Sequence, residues 1–168
     1  MKYLVFSDLH GSKKGLDLLE EGIHAFKPDA LICLGDTLHG AFDGDVTACS
    51  RFFTALDIPV IGVLGNCDWY YDETALGFRL PSERTLNFAG HRVLLRHTPF
   101  WASREAGDIV LYGHTHVKSL SKEGSAIDCN PGSIGKPRDG SYSYALLDET
   151  SIRLIDAETL VTIDAISL

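Results

Sequence analysis

The stretch Tyr112-Gly113-His114-Thr115-His116 sets two imidazoles one residue apart, directly after the apolar run Ile109-Val110-Leu111. In an extended segment an i, i+2 spacing turns both rings to one side, as a metal or phosphate site requires. The same juxtaposition of apolar run and ligand-type residue recurs along the chain: Asp8 and His10 in "SDLHG", Asp36 in "GDT", Asn66 in "GNCD" and His97 in "LLRHT". Each of these residue types can donate a lone pair to a cation. Taken singly, Asp-x-His, Gly-Asp and Gly-Asn are ordinary turn chemistry, because Asp and Asn tolerate turn geometry and bond locally to the backbone. Seven such side chains at the ends of five apolar runs point instead to one shared site.

The elements that must carry them are legible from periodicity. Lys2 to Phe6 reads as a strand, and Leu16, Leu19, Ile23 and Phe26 then recur at helical spacing until Pro28. Ala30 to Leu34 is a second strand, Val46, Cys49, Phe52, Phe53 and Leu56 mark a second helix, and Val60 to Leu64 is a third strand. Strands that are apolar throughout imply a sheet covered on both faces. In such sheets the loops beyond the carboxyl ends of the strands gather at one edge, where ligands bind. The second half turns β-rich: Thr85 to Phe88 and Arg92 to Arg96 flank the turn Ala89-Gly90-His91, and strands are expected at 109–112, 125–130, 142–147, 151–156 and 161–166. One domain over residues 1–168 is expected, built as two packed sheets with helices outside.

Composition narrows the function. Fifteen Lys and Arg against 23 Asp and Glu give a formal charge of −8, a poor match to a nucleic-acid backbone, so a long duplex is not an expected partner. Cys33, Cys49, Cys67 and Cys129 form no C-x-x-C pair, and reduced thiols in a cytoplasmic protein are the simplest reading. Nothing resembles a signal peptide, and no run approaches the ~18 apolar residues of a membrane span.

The ordered set "D-x-H", "GD", "GN", an isolated His and "GHTH", followed by "NPGS", resembles the calcineurin-like metallophosphoesterases, in particular their small YfcE-type phosphodiesterase branch. The likeness runs from Met1 to at least Tyr144. It implies an α/β fold, a four-layer α/β/β/α sandwich of two mixed sheets, and a metal-dependent phosphodiesterase with two divalent ions at the sheet edge. It further implies that Asp8, His10, Asp36 and His116 hold one ion and Asp36, Asn66, His97 and His114 the other, with Asp36 bridging. The implied nucleophile is a bridging hydroxide, so no covalent enzyme intermediate is expected. Four histidines and no thiolate favour transition metals, manganese first, with iron, zinc or nickel as alternatives. With only two carboxylates in that shell the loaded site is net positive, which suits a small phosphate ester or nucleotide.

Two departures matter. Most of the wider superfamily has a histidine after "GN" that protonates the leaving group, whereas Cys67 stands here, as in the YfcE-type branch; Asn66 and Cys67 are the expected catalytic groups. A thiol is a poorer acid than imidazole at neutral pH, so good leaving groups or slow turnover are expected. The second departure is "HTPFWASREAGD": only ten residues lie between His97 and Asp108, which leaves little room for a helix, and Thr98 and Pro99 change the backbone beside the expected ligand His97. Phe100 and Trp101 either stack on a base at the cleft rim or fill the gap. His39 lies close enough to Asp36 to reach the site, while His24 and His91 read as solvent-facing or capping groups. The loop 130–140, with Lys136 and Arg138, either greets a phosphate or turns the chain. The rival readings are a phosphomonoesterase and a non-catalytic protein-binding scaffold, since a retromer subunit shares this fold. A β-rich second half also offers a strand edge to a homo-oligomer.

Overall fold

The computed structural model describes residues 1–40, 44–99 and 104–168. The first half runs β1 (Lys2–Phe6), α1 (Lys13–Phe26), β2 (Ala30–Cys33), α2 (Val46–Thr54), β3 (Val60–Gly62) and α3 (Asp72–Leu76). The second half runs β4 (Glu83–Phe88), β5 (His91–Arg96), β6 (Ile109–Leu111), β7 (Ser119–Glu123), β8 (Ala126–Asn130), β9 (Ser143–Asp148), β10 (Ser151–Asp156) and β11 (Thr162–Ser167).

These strands form two mixed sheets, one ordered β11-β10-β9-β1-β2-β3 and the other β4-β5-β6-β8-β7. In the first, β1, β2 and β3 are parallel and β9 joins β1 antiparallel. In the second, β5, β6 and β8 are parallel, with antiparallel β4 and β7 at the edges. Alternation along β1 explains its unbroken apolarity. Leu4 and Phe6 pack against α1 and α2, while Tyr3 and Val5 meet Val93, Leu95, Ile109 and Ile127 of the facing sheet. Both faces are therefore dry, as the apolar runs require.

Local chemistry ends the elements where the pattern changes. Ser12 caps α1 by accepting from the Gly15 amide at 3.1 Å, and Asp45 caps α2 through Ala48 at 2.9 Å. At the other end of α1, Lys27 takes the left-handed conformation and returns its N–H to Ile23 O, just before Pro28. Ala89 and Gly90, at φ 50° and 84°, form a two-residue hairpin turn, so His91 opens β5 rather than lying in the turn. Its Nδ1 meets Gly107 O at 2.7 Å, whereas His24 is exposed on α1.

The described helices stand on the outer face of the six-stranded sheet. Among the described residues no helix covers the outer face of the five-stranded one, where a fourth layer was expected. Phe100 and Trp101 lie outside the described residues. No described helix is long and apolar enough to cross a membrane.

Candidate metal centre

The loops after β1, β2, β3, β5 and β6 meet at one edge of the sheet pair and bring the seven expected side chains together. The first two are laced by backbone bonds, Asp8 N to Gly35 O at 3.1 Å and His10 N to Asp36 O at 2.9 Å. Asp8, His10 and His116 offer ligand atoms within 4.8 Å of one another, as do Asp8, Asp36 and His97, and also His10, Asp36 and Cys67. Asn66 Oδ1 completes the array, 3.0 Å from His97 Nε2 and 2.7 Å from His114 Nδ1.

The backbone at these positions is strained. Asp8, His10, Asp36, His114 and His116 all have φ between 54° and 69°, and they are five of the eight described non-glycine residues with positive φ. Each L-residue held there costs on the order of 1 kcal/mol, a cost tolerated where geometry is imposed for function. The "GHTH" segment is therefore not extended, and its two rings do not share a side as the spacing suggested. His116 turns to Asp8 and His10, whereas His114 turns to Asn66. Glycines let the loops close: a Cβ on Gly65 would fall on the Asp36 carboxylate, and one on Gly113 would fall on Ser7.

Hydrogen bonds identify the imidazole tautomers. His10 Nδ1 lies 2.6 Å from His39 O, His116 Nδ1 lies 2.7 Å from Lys136 O, and His97 Nδ1 lies 2.7 Å from Leu34 O. A carbonyl only accepts, so each Nδ1 carries the proton, and a ring in its neutral form presents a bare Nε2. Two of those nitrogens, on His10 and His116, face each other at 3.2 Å. Asp8 Oδ1, 3.2 Å from His116 Nε2, is buried without a hydrogen-bond partner. Lone pairs crowded in this way repel unless a cation stands among them, so the donor set fits a metal ion.

Asp36 lies between the two groups. Its Oδ2 is 3.8 Å from His10 Nε2 and 3.4 Å from His97 Nε2, while Oδ1 accepts from the Cys67 amide at 2.7 Å. One oxygen thus faces both sets. Burial alone would raise this carboxyl, but His97, the Cys67 amide and His10 outweigh it and hold the group down at about 2. Burial likewise works to lower His97, and the Asp36 carboxylate beside it reverses the sign and raises it.

His97 is buried, and its carbonyl accepts from Gly113 N at 2.8 Å, so the Thr98-Pro99 step does not displace it. Cys67 joins the cluster, with its thiol pushed up to about 11 by burial and then by the charge of Asp36. The His39 ring does not enter; its Nε2 meets Asp72 Oδ1 at 3.2 Å, and only its carbonyl serves the centre. Loop 130–140 braces the site. Ser133 Oγ donates to Asp8 O at 2.7 Å, Lys136 supplies its carbonyl to His116, and Lys136 Nζ is engaged with Gly40 O at 2.7 Å.

Three supporting residues were missed in the sequence. Asp68, 8% exposed, accepts from the amides of Asp36, Thr37 and Gly65 at 2.7, 2.8 and 2.9 Å, clamping the Asp36 loop to the Asn66 loop. Asn130 donates to Gly113 O and to Thr115 Oγ1, both at 2.9 Å, and so holds the "GHTH" turn, while Ser133 anchors Asp8. Asp68 closes the quoted "GNCD", and Asn130 and Ser133 belong to "NPGS", so their letters were in view but their partners were not. A cleft of about 210 Å³ adjoins the centre, with Asn66, Arg96, His97 and Thr98 in its wall.

Two mixed sheets that deliver carboxylates and imidazoles from five strand ends to one edge define a metallophosphoesterase-type α/β hydrolase. The chain belongs to the calcineurin-like phosphoesterase superfamily, whose domain model matches residues 1–151, and is a phosphoric ester hydrolase. It is 30% identical over 169 residues to "Phosphodiesterase YfcE" of Escherichia coli strain K12, covering 92% of this chain and 91% of that one. The solved structure of Yfce, described as a phosphoesterase from E. coli, superposes with a TM-score of 0.86 at 25% identity over 99% of both chains. Vps29 from Entamoeba histolytica, crystallised with Zn²⁺, shares the fold with a TM-score of 0.67 at 18% identity over 99% of both chains.

Proposed function

We propose that this chain is a metal-dependent phosphodiesterase acting on small phosphate diesters through a pair of divalent transition-metal ions, manganese foremost. The observation that carries the reading is the approach of two Nε2 atoms, on His10 and His116, at 3.2 Å beside the unpartnered Asp8 Oδ1. Asp8, His10, His116 and Asp36 hold one ion in this reading. Asp36, Asn66, His97 and His114 would hold the second, with Asp36 common to both sets. When bound, the ions supply the positive charge that binds a phosphoryl group and lowers the pKa of water.

The chain's own residues do the rest. Backbone carbonyls of Leu34, His39 and Lys136 hold the rings of His97, His10 and His116, so these three would meet an ion already oriented. Asn66 shares its carbonyl between His97 and His114 and stands at the exposed rim, where a phosphoryl oxygen arrives. Cys67 keeps its thiol proton at neutral pH and offers it to the leaving oxygen, as a weak acid suited to stable leaving groups. The net charge of −8 keeps polynucleotides out of the substrate range.

Metal analysis of the purified protein tests the centre, together with hydrolysis of bis(p-nitrophenyl) phosphate with and without manganese. Two bound ions per chain and manganese-dependent release of nitrophenolate are expected. Hydrolysis of p-nitrophenyl phosphate faster than the diester would replace the reading by a phosphomonoesterase, and neither metal nor turnover would remove it.

A further inference from the structure

The turn that follows the Asn66 loop consists of three aromatic residues left in water. Trp69 is 55% exposed, Tyr70 83% and Tyr71 53%. Single apolar residues on a surface need no explanation, but a contiguous aromatic group does. The rings are ordered against one another. Trp69 and Tyr71 lie nearly parallel, with centroids 5.9 Å apart and planes 10° from each other, and Tyr70 stands edge-on to Tyr71 at 5.4 Å.

The turn is also fastened to the candidate centre. Asp72 accepts from the Trp69 amide at 2.8 Å and returns its own amide to Trp69 O at 2.9 Å. The other oxygen of Asp72 meets His39 Nε2 at 3.2 Å, and the His39 carbonyl holds His10 Nδ1 at 2.6 Å. On the near side, Asp68 clamps the Asp36 loop. Trp69 is two residues beyond Cys67, so their Cα atoms lie within ~8 Å whatever the path of the chain. The aromatic turn therefore begins two residues from Cys67, on a backbone tied to the same loops that carry the candidate ligands.

We propose that Trp69 and Tyr70 are a stacking platform for the nucleobase of a nucleoside phosphodiester whose phosphate lies at the metal centre, an inference that rests on the phosphodiesterase reading. Every base has a π-face, so aromatic platforms bind bases with little sequence preference. The size of the patch suits one ring system. Three side chains fall far short of the ~800 Å² that each partner contributes to a stable protein interface. The acidic chain disfavours a polynucleotide running across them.

Two diesters with the same leaving group test this, thymidine 5′-(p-nitrophenyl phosphate) and methyl p-nitrophenyl phosphate, assayed on the manganese-loaded protein. Tyr70→Ala and Trp69→Ala are expected to raise KM for the nucleoside ester about 10-fold with kcat held, and Tyr70→Phe to restore it. The methyl ester, which has nothing to stack, should show no such rise. Unchanged KM for the nucleoside ester, or equal changes for both esters, would overturn the platform. A second readout needs no turnover: thymidine 5′-phosphate, but not ribose 5-phosphate, should quench a tryptophan emission that is absent in Trp69→Phe. If the unaltered protein hydrolyses neither ester, the phosphodiesterase reading fails by itself. The quench then decides the platform, its presence supporting stacking and its absence, or an equal response to ribose 5-phosphate, ending it.

Discussion

Asp8, His10 and His116 are sealed from solvent, with side chains 0%, 5% and 8% exposed, whereas on the other side of Asp36 His97 is buried but Asn66 and His114 are exposed. Both groups use loops that leave strand ends, and both include residues at positive φ. The difference lies in what covers them. The "NPGS" loop folds over the first group through Ser133 and the Lys136 carbonyl, and nothing comparable covers the second among the described residues. In a dry pocket a carboxylate and two bare imidazole nitrogens interact far more strongly with a cation, and far less favourably without one, than in water. In the proposed reading the sealed group would retain an ion and the exposed one would admit a substrate.

The largest test removes what the halves share. Asp36→Ala should lower diester hydrolysis on the order of 10³-fold and bring bound metal below one ion per chain, read by steady-state kinetics and elemental analysis. Retention of two ions would separate Asp36 from both halves. Next, His116→Ala and His114→Ala set the halves against each other. Each should cost on the order of 10²-fold in activity, but added manganese should rescue His114→Ala and not His116→Ala. Equal rescue would erase the distinction between sealed and open.

Asp68→Ala probes the clamp between the halves. Leaving three buried amides without an acceptor should destabilise the fold by ~3 kcal/mol in urea and cut activity ~10- to 100-fold at saturating metal. A stability loss with unchanged activity would make the clamp structural only. The smallest effect concerns Cys67 at the open rim. Cys67→Ala should slow hydrolysis of a methyl or ethyl diester ~10-fold and leave the p-nitrophenyl diester nearly unchanged, because nitrophenolate departs without a proton. An equal loss on both would give Cys67 a role other than acid.

Much of this was legible along the chain because its signals are local. The apolar runs marked β1, β2, β3 and β6, and the helical spacing of Leu16, Leu19, Ile23 and Phe26 marked α1. Two elements escaped. In β7, Ser-Leu-Ser-Lys-Glu, only Leu120 packs inward, and an edge strand leaves the rest in water, so the run has no apolar period to detect. α3 is five residues long, too short for a face to repeat. Among the described residues no helix lies on the outer face of the second sheet.

The amino-acid order by itself determined which residue types stand at the strand ends, and hence the kind of chemistry they can share, because the periods of strand and helix are written within a few neighbours. Only the tertiary structure decided that His114 and His116 turn apart, that one oxygen of Asp36 faces both groups, and that Asp68 pins the loops. These outcomes depend on left-handed backbone and on bonds between residues 30 to 125 positions apart, such as Asp68 to Asp36 and Ser133 to Asp8. Such bonds form only when distant loops are pressed together, and no local pattern records them.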